Sequence, residues 1–130
     1  MADKAKQLVA KWIELFNAHD AEGLAKLYAE DAVNHQVHAE PVRGRAAILQ
    51  NFIESFRVVP DMGCKPALVL GDGDWAVLEW AGWGSFNAPG GPKKYELAGC
   101  LLFQLKDGLI ALQKGYWDKQ TLFRQIGMKD

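Results

Sequence analysis

Sulfur is scarce in this chain: its two cysteines, Cys64 and Cys100, lie far apart and match no metal-ligand or redox spacing. Both read as small buried hydrophobes, so neither a disulfide nor a metal site is expected. An excess of either charge is also missing. Lysine and arginine number 15 against 16 acidic residues, a formal net charge of -1, and the two signs are intermixed along the length. With no basic stripe to engage a phosphate backbone, nucleic acid is not an expected partner. Long apolar runs are absent too. None approaches the roughly 20 residues that cross a bilayer, and Met1-Ala2-Asp3-Lys4 lacks the apolar stretch of a signal peptide. The expected setting is cytoplasmic, with no membrane partner.

What is present fits one folded unit over residues 1–130, with 49% hydrophobic and 24% charged side chains. The first half carries helical periodicity. Leu8, Val9, Trp12, Ile13 and Phe16 form one apolar stripe on a helix from about Asp3 to Ala18. Asp20 is a good N-cap for a short second helix that buries Leu24, Leu27 and Tyr28 and ends near Glu30-Asp31, after which Ala32 to Val37 makes a strand. Ala47, Ile48, Phe52, Ile53 and Phe56 give a third helix that stops before Pro60.

The second half carries strand periodicity: Ala67 to Leu70, Trp75 to Phe86, Tyr95 to Leu105 and Leu109 to Trp117. Gly71-Asp72-Gly73-Asp74, Asn87 to Pro92 and Lys106-Asp107-Gly108 supply the turns of an antiparallel meander. Gln120 to Ile126 closes the chain as a short helix with Gly127 as C-cap. The class is α+β. Gly82, Gly84, Gly99 and Gly115 are expected to bend the long strands into a cone. Helices across its concave face would leave a cavity lined by Trp, Phe and Leu, the usual composition of a small-molecule site. If Val33 to Val37 is a regular strand, Asn34 and Gln36 share one face and His35 takes the other. Two inward amides must find partners, in a ligand, a held water or neighbouring backbone.

The element order resembles the nuclear transport factor 2-like superfamily, which includes ketosteroid isomerases, limonene epoxide hydrolase-like enzymes and SnoaL-like polyketide cyclases. The resemblance rests on Trp12-Ile13-Glu14-Leu15-Phe16-Asn17, Leu27-Tyr28-Ala29-Glu30-Asp31-Ala32, Arg43-Gly44-Arg45-Ala46-Ala47-Ile48, and Lys106-Asp107-Gly108-Leu109-Ile110 leading to Gly115-Tyr116-Trp117-Asp118. It implies a cone-shaped curved mixed sheet wrapped by three N-terminal helices, a cystatin-like fold.

The isomerase's residues do not carry over. Its donor tyrosine falls on Trp12, its base on Gln36 and its second donor at or near Cys100, and none of these does that work. The epoxide hydrolase-like pattern keeps Asn34, Gln36 and Asp118 at matching positions. It lacks the arginine and second acid on Val77-Leu78-Glu79-Trp80-Ala81-Gly82-Trp83, where only Glu79 stands. A cyclase-like reading needs a general acid or base in an apolar pocket, and a carboxylate desolvated by Trp80, Trp83 or Trp117 would have a raised pKa.

The expected catalytic set is therefore Asp118, Gln36 and Asn34, with Trp12, Tyr28, Glu79, Cys100 and Trp117 lining the pocket. Asp118 also reads as a simple helix cap, and His19 and His38 as loop residues. Two functions stay open: an enzyme working on a hydrophobic small molecule by general acid–base chemistry, and a non-catalytic ligand-binding or dimerisation module. No cofactor is expected. A homodimer through the sheet is expected from the apolar residues on both faces of Tyr95 to Leu105.

Overall fold

The computed structural model describes residues 3–128. Its elements run α1 (Lys4–Asn17), α2 (Ala21–Ala25), β1 (Tyr28–Gln36), β2 (Val42–Arg43), α3 (Arg45–Val58), β3 (Gly63–Asp72), β4 (Trp75–Ala88), β5 (Gly91–Lys106), β6 (Leu109–Trp117) and α4 (Lys119–Ile126). The strands form one open six-stranded sheet in the order β2-β1-β6-β5-β4-β3. The meander β3 to β6 is antiparallel, whereas β1 lies parallel to β6, which makes the sheet mixed.

Local chemistry explains most boundaries. The Asp3 carboxylate accepts from Lys6 N at 3.1 Å and starts α1, and Asp20 accepts from Gly23 N at 2.8 Å and starts α2. The β5–β6 hairpin turns on Asp107 and Gly108, both at positive φ (54° and 80°), the backbone that an Asp-Gly pair supplies. Two boundaries differ from the sequence reading. α2 stops at Ala25, so Tyr28 opens β1 instead of ending a helix. β3 starts at Gly63, four residues earlier than expected, because Asn17 clamps the Cys64 backbone at 2.8 Å on both its N–H and its C=O.

The core lies between the helices and the concave face of the sheet. Val9 and Trp12 of α1 and Ile48, Phe52 and Phe56 of α3 pack on Leu78, Leu101 and Phe103. The Trp12 ring stacks on Phe16 at 5.0 Å and meets Phe103 edge-on at 5.7 Å. A second cluster joins Leu122 and Ile126 of α4 to Val59 and Tyr95, fixing α4 across the end of the sheet. No helix among the described residues is long and apolar enough to cross a membrane.

The inner glycines do something other than expected. The register shifts fall between Tyr28 and Val33, Pro66 and Leu68, and Gln104 and Leu105, not at Gly82, Gly84, Gly99 or Gly115. Each of those four glycines instead seats a side chain. A Cβ on Gly99 would lie 2.7 Å from Trp80 Cε2, one on Gly84 2.6 Å from Tyr95 Oη, and one on Gly115 2.6 Å from Gln36 Nε2. The missing side chains make room for rings and an amide to lie flat on the concave face.

Candidate functional site

Between α1, α3 and the concave face lies a cavity of about 510 Å³, within the usual range of small-molecule sites, roughly 300–1,000 Å³. Its walls are mostly aromatic and aliphatic, among them Trp12, Phe16, Phe52, Trp80, Trp117 and Leu101. Polar groups gather at two levels. His38, Glu40, Asn51 and Glu54 stand at the exposed mouth, while Asn34, Gln36 and Gln113 form the floor on β1 and β6. No lysine or arginine lines the cavity among the described residues.

Alternation delivers the floor. Asn34 pairs with Gln113 and Gln36 with Gly115 across the parallel β1–β6 ladder, so all three amides point to one side. Gln113 and Asn34 are only 2% and 6% exposed. Gln36 Nε2 donates to Asn34 Oδ1 at 3.2 Å. Behind them Trp12 Nε1 donates to the Tyr28 hydroxyl at 2.9 Å, and that hydroxyl donates to Gln113 Oε1. Tyr28 is fully buried, and burial pushes its phenol far up, the Trp12 hydrogen bond opposing only in part. It stays neutral at any physiological pH.

Of the expected site residues, Trp12, Asn34, Gln36 and Trp117 line the cavity, and four do not. Asp118 is exposed and caps α4: it accepts from Gln120 N at 2.9 Å and from Thr121 N and Oγ1 at 3.3 and 2.7 Å. The Thr121 hydroxyl first, and the two backbone donors with it, hold its carboxyl below the usual carboxylate range. A desolvated acid of raised pKa is the opposite case. Tyr28 sits one layer behind the floor instead of on the wall. Glu79 and Cys100 are cross-strand partners on the convex face, in a row running Leu68, Glu79, Cys100, Tyr116. Both alternate with inward residues, Leu78 and Trp80 on one strand and Gly99 and Leu101 on the other, so they must face away.

His38 and Gln113, outside the expected catalytic and pocket-lining set, also line the cavity. His38 stands at the mouth with its ring edge-on to Trp117 at 4.5 Å. Burial, helped by the nearby Lys119 charge, holds its imidazole below the ordinary value. Gln113 carried one usable signal, its spacing of two and four from Gly115 and Trp117. His19, also read as a loop residue, stacks on Phe56 at 4.4 Å and bonds Met62 O. Burial pushes the Cys64 thiol up to about 11, so it is no nucleophile near neutrality.

One buried donor on the wall has no partner among the described residues, the Trp80 indole N–H. A stranded buried donor costs about 1–3 kcal/mol. Trp80→Phe, which keeps an aromatic ring over Gly99, is therefore expected to leave unfolding free energy unchanged or raise it in urea denaturation. A loss above about 2 kcal/mol would contradict that account. The Asp118 cap predicts a pH dependence. A carboxyl of lowered folded pKa stabilises above its unfolded value and stops doing so as pH falls through the folded one. α4 should loosen first in an acid titration below about pH 4, seen as early hydrogen exchange at Leu122 to Ile126, and Asp118→Asn should remove that step.

A family model described as the SnoaL-like domain matches residues 9–113. The chain belongs to that family. Its fold is shared by solved structures of low sequence identity. A polyketide cyclase candidate from Xanthomonas campestris is 22% identical, with a TM-score of 0.88 over 95% of this chain and 96% of that one. An LEH-like epoxide hydrolase from M. tuberculosis is 20% identical, with a TM-score of 0.81 over 95% and 89%. A protein of ketosteroid isomerase-like fold from Catenulispora acidiphila, in complex with trimethylamine, is 16% identical, with a TM-score of 0.84 over 94% and 93%. No curated protein matches the sequence.

Proposed function

We propose that this SnoaL-like chain binds an uncharged hydrophobic organic molecule in its cavity and holds it on a neutral floor, without a resident acid or base. The observation that carries this reading is the lining: aromatic walls, three amides at the bottom and no carboxylate there, because Asp118 is engaged at the start of α4. Neighbours whose names join this fold to polyketide cyclisation and epoxide hydrolysis support an organic ligand. The test is titration with the neutral dye Nile red, followed by fluorescence. Saturable binding that Ser55→Trp at the mouth abolishes is the expected result. Dye binding that ignores Ser55→Trp, or no binding at all, would overturn the reading.

A second reading, catalysis with His38 as general base, is favoured by one observation. This imidazole stands against Trp117 at the cavity with its pKa lowered, so it is uncharged near neutrality. Its test is turnover by His38→Gln of whatever compound organic extraction of the purified protein yields. Undiminished turnover would exclude His38.

The convex face supports pairing with a second copy. Leu68, Leu70, Trp75 and Tyr116 are between 42% and 54% exposed there, beside Val77 and Leu102. Sedimentation is expected to give a dimer that Trp75→Glu converts to monomer. A monomeric parent chain at micromolar concentration would refute this.

A further inference from the structure

We propose that Gln113, with the Asn34–Gln36 pair beside it, forms a subsite for an uncharged carbonyl oxygen at the buried end of the ligand, and that Trp12 sets the polarity of that subsite. This rests on the pocket reading above.

The argument is an accounting of protons. An indole nitrogen can only donate. Trp12 Nε1–H therefore occupies a lone pair of the Tyr28 hydroxyl, at 2.9 Å. The single proton of that hydroxyl must go elsewhere, and it goes to Gln113. The atom receiving it has to be the carbonyl oxygen, because an NH2 group cannot accept. Gln113 is thereby locked with Oε1 turned back into the core and its NH2 turned to the cavity it lines. That NH2 has no partner among the described residues, on a side chain 98% buried by its 2% exposure. The Asn34–Gln36 pair adds a second donor whichever way it is read. One hydrogen bond joins the two amides, at 3.2 Å, so one NH2 and one C=O remain over. Gln113 is the member whose direction cannot be reversed.

A floor that offers fixed N–H groups asks for an acceptor oxygen. The charge on that oxygen is limited by what surrounds it. With no cation on the lining and Glu40 and Glu54 at the mouth, a carboxylate would be desolvated without a counter-charge. A carbonyl oxygen on an aromatic or alicyclic frame satisfies the donors and fits the walls. Tyr28 does not line the cavity, and Trp12, whose ring is part of the wall, bears on the carbonyl only through the Tyr28 hydroxyl. They are positioning residues, acting through Gln113.

Three probes of one shape test this: 2-acetylnaphthalene, 2-ethylnaphthalene and 2-naphthoate, titrated by tryptophan fluorescence. The ketone is expected to bind about 5- to 10-fold more tightly than the hydrocarbon, and the carboxylate more weakly than both. Gln113→Met should bring the ratio of ketone to hydrocarbon affinity to about one, and continued hydrocarbon binding reports that the variant is folded. The infrared carbonyl stretch of the bound ketone should lie at lower frequency than in an apolar solvent, and should return toward that solvent's value in Gln113→Met. Tyr28→Phe should shrink the ketone's advantage in the same direction, because Gln113 is then free to turn. Equal affinity for ketone and hydrocarbon in the parent chain, or a ketone preference that survives Gln113→Met, would overturn the subsite and leave the pocket standing. Failure of all three probes to bind would overturn the pocket reading and this one with it.

Discussion

Tyr28→Phe is expected to lower the free energy of unfolding by about 2–4 kcal/mol, far more than the loss of one exposed hydroxyl. The substitution removes an oxygen that serves two buried groups at once, Trp12 Nε1–H and Gln113 Oε1. Each group left unpartnered in the interior costs about 1–3 kcal/mol. The ring itself keeps its place against Phe52, at 6.0 Å, so little packing is lost. Urea denaturation of the parent and variant measures the difference. The discriminating control is Trp12→Phe, which has no indole N–H to strand. In that background Tyr28→Phe should cost about half as much, since only Gln113 is deprived. Equal costs in the two backgrounds would mean that the three side chains are not coupled.

The second large effect is at Gly99. Gly99→Ala is expected to destabilise by about 2–3 kcal/mol, near the top of the range for overpacking. A Cβ there would sit 2.7 Å from Trp80 Cε2 and equally close to the Tyr116 carbonyl oxygen, so a ring and a neighbouring backbone would both have to yield. Gly82→Ala meets Trp80 Cζ3 at 2.9 Å and backbone only at 3.4 Å, and should cost less. If the two variants unfold at the same urea concentration, the backbone contact is not what matters.

The fold was readable because its signals are local. The stripe on α1, the Asp20 cap and the Asp107-Gly108 turn each depend on residues within a few positions of one another. Tyr28 reads as the end of a helix because Ala29-Glu30-Asp31 has no strand alternation; in β1 that segment spans a register shift between the pairs Tyr28–Ile110 and Val33–Leu112. For the site, parity within a strand decides which of the expected residues line the cavity. Asn34 and Gln36, which alternation puts on one face, line the cavity, and so does Trp117. Asp118 follows Trp117 directly and Glu79 precedes Trp80, so neither can join its neighbour inside. Cys100, between Gly99 and Leu101, is excluded by the same rule. The facing of Gln113 follows from the same parity, counted back from Trp117, but the direction of its amide does not, because that is set by Tyr28 on a strand distant in sequence.

That distance has its own consequence. The hairpins β3–β4, β4–β5 and β5–β6 join segments adjacent along the chain, but Tyr28 and Gln113 are 85 residues apart. Pairing β1 with β6 closes a loop spanning most of the molecule, the kind of non-local step that makes folding slow. The meander can therefore exist before the amide floor does, and a ligand has nothing to grip until β1 docks. Bound 2-acetylnaphthalene should then slow unfolding while leaving the folding rate unchanged in stopped-flow measurements, because it recognises a surface completed after the rate-limiting barrier.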